Sequence, residues 1–130
     1  MASILKVDTI TGVATAGSIA VTGEGNSTTT NLQQGLCKGY VARAIDSTQG
    51  ISGETFNVSG FTDIGSGNSN HTITNPMSSA TDFVVMMTSA GNYPYQGTVV
   101  SASSFKLRTV NSTGSSADGT KHGAIFGDLA

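Results

Sequence analysis

Residues 97–112, "GTVVSASSFKLRTVNS", decide how the rest of the chain is read. In an extended run, Phe105, Leu107 and Thr109 fall on one face and Lys106, Arg108 and Val110 on the other. The first face suits a core and the second suits water. Lys106 and Arg108 share a face, where solvation is the default and pairing with another chain's acidic groups the alternative.

Working outward, other stretches carry the same extended character. "YVARAI" (40–45), "TFNVSGF" (55–61) and "NHTITN" (70–75) read as strands. "DFVVMMTS" (82–89) has the densest apolar content and reads as a central strand, and "GAIFG" (123–127) closes the sheet. Turn-rich pieces separate them, among them "TDIGSGNS" (62–69) and "STGSSADG" (112–119). In "NPMSSATDF" (75–83), Pro76 stops the preceding strand and Met77 fills the space beneath the turn. Short strands with frequent Gly turns make the fold class all-β, with residues 40–130 as a compact antiparallel β-sandwich or barrel-like head.

The opening region differs. In "SILKVDTITGVATAGSIAVTGEG" (3–25), "ILKVDTI" alternates as a strand, and Gly12, Gly17, Gly23 and Gly25 punctuate further short pieces such as "SIAVTG". Lys6 and Asp8 interrupt the apolar residues and no continuous h-region follows, so the start does not read as an export signal. No run approaches a membrane span. Pieces this poor in large apolar groups bury little surface alone, which favours an oligomerisation arm over residues 1–30 against an independent minidomain. "NSTTTNLQQGLCKGY" (26–40) contains the only helix candidate, Asn31–Lys38, short and interrupted by Gly35, and residues 31–39 read as a neck between arm and head.

Composition bounds the chemistry. The 130 residues suit one domain with an appended arm. Charged residues are 11%, and 17 Ser, 18 Thr, 8 Asn and 17 Gly wet the surface in their place. With 37% apolar residues in repeated runs, the chain is not read as disordered. A net charge of -2 and no basic stripe argue against nucleic acid. Cys37 is the single cysteine and reads as a small apolar side chain. His71 and His122 stand outside any metal-binding spacing and read as surface or turn residues, so neither metal nor cofactor is expected. Asp8, Glu24, Asp46, Glu54, Asp63, Asp82, Asp118 and Asp128 are scattered, with turn capping the natural role for Asp63 and Asp118. No nucleophile elbow or phosphate loop occurs, and no enzyme is expected. Asn26, Asn57, Asn70 and Asn111 match N-x-[ST], a pattern that 35 Ser/Thr produce by chance. Tyr93 and Tyr95 flank Pro94 in "GNYPYQG" (91–97) and are candidates for surface or receptor contact.

Taken together, "MASILKVDTITG", "GSIAVTGEGNSTTTNLQQGL", "ETFNVSGFTDIGSGNSNHTITNPMSSATDFVV", "GTVVSASSFKLRTVNSTGSSADG" and the last "AIFG" resemble small tail-fibre-like and appendage proteins of marine tailed bacteriophages. The resemblance implies a thin intertwined β arm leading to a compact head, a homotrimer, and a place on the external surface of the capsid or tail after synthesis in the host cytoplasm. It implies interchain packing by Leu5, Val7 and Ile10, with Ile19 and Val21 in the same arm, and a neck at Asn31, Leu32 and Gln33. It places Phe56, Val58, Phe61 and Ile73 in the head's core, which Phe83, Val85, Phe105 and Leu107 complete. No catalytic residue comes with it, and this chain has Tyr40 and no Trp where such proteins often carry Trp after the neck. The expected partners are other virion proteins and a host cell-surface glycan or protein receptor. A decoration protein that stabilises the particle without binding a receptor is the alternative, and a glycan-degrading tailspike would require a carboxylate pair in a groove.

Overall fold

A computed structural model describes residues 6–11, 19–22, 29–45, 50–90 and 94–128. The elements run β1 (Ala20–Thr22), β2 (Thr29–Asn31), α1 (Leu32–Gly35), β3 (Cys37–Ile45), β4 (Gly50–Ile51), β5 (Thr55–Phe56), β6 (Val58–Asp63), β7 (Asn68–Ile73), β8 (Phe83–Ser89), β9 (Tyr95–Ser101), β10 (Ser104–Thr109) and β11 (Thr120–Gly127). The helical candidate amounts to this one turn, too short to hold itself without tertiary support.

β1 and β2 pair as a small sheet of their own, tied to the neck by Leu32 N–H donating to Ile19 O at 2.8 Å. The remaining strands make two antiparallel sheets. One has the order β6-β7-β10-β9. The other has the order β4-β3-β11-β8, with β5 also on β3. Alternation sets which side chains meet between them. β10 turns Phe105, Leu107 and Thr109 inward, and β11 turns Lys121, Gly123 and Ile125 inward. Leu107 lies directly over Gly123, close enough that a Cβ there would sit 2.9 Å from its Cδ1. One core results, of Val41, Ala44, Val58, Ile73, Met77, Phe83, Phe105, Leu107 and Ile125, with Ile51, Phe61, Val85, Met87 and Val99 packed against it. Each large side chain taken from water into it contributes about 1.5–3 kcal/mol.

The chain passes from one sheet to the other at Asn57, whose φ of 55° is left-handed. Its Nδ2 donates to Lys38 O (2.8 Å) and Asn75 O (3.1 Å), and its Oδ1 accepts from Asn75 N–H (2.7 Å). Asn is one of the few side-chain-bearing residues that adopts this conformation readily. The stretch 55–61, read as one strand, is therefore two, β5 in one sheet and β6 in the other. This corner also corrects the expectation for Phe56. It does not enter the core but pairs with Tyr40 on the outer side of its sheet, 52% exposed. β8 is likewise an edge strand rather than a central one. The central place belongs to β11, between β3 and β8. Across the molecule, Gly97 lets β9 press against β8, since a Cβ there would lie 2.6 Å from Val85 Cγ1 and 2.9 Å from its carbonyl oxygen.

Candidate interaction surface

The two sheets present opposite kinds of outer face. On the four-stranded sheet, Lys106 stands in register with Thr98 and Asn70, and Arg108 with Gln96 and Asn68. That face is polar, the usual pattern for an antiparallel sheet washed by solvent on one side. The outer face of the five-stranded sheet is apolar. Register aligns Phe56, Tyr40, Ala124 and Met86 in one row and places Phe126 beside Val84 in the next. Phe56, Val84 and Met86 are 52%, 58% and 62% exposed, and the Tyr40 and Phe56 rings lie 6.1 Å apart. None of the side chains described in these rows is charged. Glu54 and Asp82, both exposed, stand at the margins, Glu54 where its carbonyl accepts from Ala42 N–H and Asp82 just before β8.

Small residues make this face concave. A groove of about 390 Å³ runs over Ala42, Gly123 and Ala124, walled by Tyr40, Met86, Thr88 and His122. A second hollow of about 340 Å³ lies between Asp82, Val84, Phe126 and Gly127. A patch of this extent, apolar at its centre and polar at its margin, has the composition of a contact surface.

No family model matches the chain, and neither the curated proteins nor the solved structures give a match.

The residues anticipated for interchain packing are scattered by comparison. Val7, Ile10 and Val21 are exposed and Ile19 is half-buried, while Leu5 lies outside the described residues. Tyr95 is 54% exposed at the start of β9, and its companion Tyr93 lies outside the described residues. Of the anticipated core, Val58, Ile73, Phe83, Phe105 and Leu107 belong to the buried cluster, and Phe61 and Val85 pack against it. The apolar outer face went unnoticed in the sequence, although "DFVVMMTS" carries its signal. Val84 and Met86 alternate with Phe83, Val85 and Met87, so both faces of that strand are apolar.

His71 overturns its reading as a surface residue. It is fully buried on β7, stacked on Phe105 at 5.1 Å between ring centres and edge-on to Phe61 at 5.6 Å. Lys121 Nζ, also buried, reaches Ser69 Oγ from the opposite sheet at 3.3 Å, and Ser69 Oγ lies 3.1 Å from His71 Nε2. Ser69 Oγ thus accepts from Lys121 and shares a further hydrogen bond with His71 Nε2, in which either side can be the donor. Burial, reinforced by the Lys121 charge, lowers the His71 pKa to about 4. An unfolded chain takes up this proton near pH 6.5 and the folded one only near 4, so stability is full above 6.5 and falls as the pH drops between those values. Urea unfolding should lose about 3 kcal/mol from this site between neutral pH and pH about 4. His71→Phe should remove that part of the pH dependence; an unchanged slope would sink the assignment.

The carboxylates act on the backbone and on hydroxyls. Asp63 Oδ1 accepts from Gly65 N–H at 2.9 Å, and Asp118 Oδ1 from Gly67 N–H at 2.6 Å. Asp82 is held below the usual carboxylate range by hydrogen bonds from Ser79, Ser78 and Thr81, and its ionised form does not suit a general acid.

Proposed function

We propose that this chain is a non-enzymatic structural protein of a phage virion, a short tail fibre or appendage on the outer surface of the capsid or tail. Its copies associate as a homotrimer through the opening segment, and the two-sheet head projects from the particle and contributes to host attachment. The supporting observation is the exposure of Val7, Ile10 and Val21, at 51%, 57% and 51%. Covering a side chain of this size is worth about 1.5–3 kcal/mol, and a neighbouring copy supplies the cover that one chain lacks. The resemblance noted in the sequence supplies the virion setting.

The reading is tested by the solution mass of the full chain beside one beginning at Asn31. The shortened chain retains every member of the core cluster, which starts at Val41. The full chain should be a trimer, and the shortened one should dissociate at concentrations at least about tenfold higher, a difference of ~1.4 kcal/mol. A full chain that stays monomeric at every concentration overturns the proposal.

A further inference from the structure

We infer that the outer face of the five-stranded sheet, centred on Tyr40, Phe56, Val84, Met86, Ala124 and Phe126, is covered by further copies of this chain, head against head. The inference rests on the structural-assembly reading above but assigns the contact to a part of the head that the opening segment does not include.

Three features select this occupant. The first is neutrality. The described side chains of the central rows carry no charge, so nothing there calls for a charged partner such as an acidic glycan or a basic peptide, whereas identical neutral faces meet without repulsion. The acidic groups Glu54 and Asp82 stand at the margin, where water still screens them.

The second feature is shape. The face holds both a projection and a recess, with Met86 standing 62% exposed beside the groove floored by Ala42, Gly123 and Ala124. A surface carrying both a projection and a recess can fit the projection of one copy into the recess of the next, which allows three such faces to close around the axis of a trimer. Methionine is also the apolar side chain best able to adapt to an irregular recess.

The third is area. A half-exposed side chain of this size leaves on the order of 100 Å² in water, so Phe56, Val84 and Met86 with the partly covered Tyr40, Phe126 and Ala124 present roughly 450 Å² of apolar surface. Non-polar atoms form about 57% of an ordinary interface. A standard stable contact of about 800 Å² per copy carries a non-polar share of about this size, so the face is large enough to be the centre of one.

The test uses the full chain. Its association is followed by mass over a concentration series, for the natural sequence and for Met86→Lys, Val84→Lys and, on the opposite polar face, Thr62→Lys. All three positions are exposed, so the variants should keep the native thermal transition. Met86→Lys and Val84→Lys should each weaken association at least about tenfold, and Thr62→Lys should leave it unchanged. Peroxide oxidation of the associated natural chain gives a second readout. Met86 should react nearly as slowly as Met77, which is buried within each head, and should become fast on dilution to monomer. Association that survives both lysine variants, or a Met86 that oxidises freely within the assembly, overturns this inference while leaving the structural-assembly reading standing. A chain that never associates removes both.

Discussion

Phe105→Ala should lower the unfolding free energy by about 3–5 kcal/mol, the largest loss expected from any single truncation in this head. The ring is fully buried near the start of β10. It stands in register with Val99 on one side and His71 on the other, and it stacks on the His71 imidazole. Removing it takes away more than transferred area, because its neighbours belong to two paired strands and cannot collapse freely into the space. The imidazole it supports is itself held by Ser69, so the loss spreads into the buried polar network. A small domain has a total stability of only about 5–15 kcal/mol, and the variant should unfold at a much lower urea concentration. Val99→Ala, in the same row but only partly buried, should cost clearly less. Equal midpoints for the two would show that Phe105 is not the centre of the core.

Gly67→Ala should be nearly as damaging, about 3–5 kcal/mol, for a different reason. Gly67 has φ +70°, and a Cβ there would overlap Thr109 O and come within 2.6 Å of Ala117 N and 2.7 Å of Ala117 O. The space is closed because three segments meet at this turn. Thr109 N–H donates to Gly67 O, Ala117 N–H donates to Thr109 O, and Thr109 Oγ1 donates to Ala117 O. Asp118 then accepts from Gly67 N–H. A methyl group must break this set of bonds or distort the turn. Gly65→Ala is the natural comparison, since Gly65 also has a positive φ, +120°, but open space around it. Only backbone strain is at stake there, about 1–2 kcal/mol. Thermal unfolding of both variants checks the difference, and a Gly67→Ala loss no larger than that of Gly65→Ala would remove the packing argument.

The head's fold class was legible because "SFKLRT" alternates with a period of two and because its turns are written in Gly, Ser, Asn and Asp. Phe105, Leu107 and Thr109 face inward as that alternation requires. The exceptions lie where a single backbone conformation or the second face of a sheet decides. A continuous strand over 55–61 is the natural reading of "TFNVSGF" until Asn57 is seen to turn left-handed, and the position of Phe56 follows from that turn. The edge position of β8 was hidden because an edge strand with an apolar outer face has the same composition as one buried on both sides. The burial of His71 was not legible because Phe105, which stacks on it, and Lys121, which reaches its neighbour Ser69, come from strands far along the chain. The outer apolar face was hidden for the same reason. Tyr40, Phe56, Met86 and Ala124 form a row only once β5, β3, β8 and β11 are aligned.

The central place of β11 also governs when the head can form. β3, which also carries β4 and β5, shares no pairing with β8, and the two are joined through residues 120–127. The strands of the other sheet all lie between residues 58 and 109, so that sheet has its full set earlier during synthesis. Until residues 120–127 leave the ribosome, the chain holds one sheet with its inner face uncovered and two separate parts of the other, β3 with β4 and β5, and β8, waiting for the strand that joins them. Pairing over such a sequence separation is slow, and exposed edges and apolar faces are open to wrong partners in the interval. The head thus acquires its second sheet in a late step, and any meeting of outer faces between copies has to follow it.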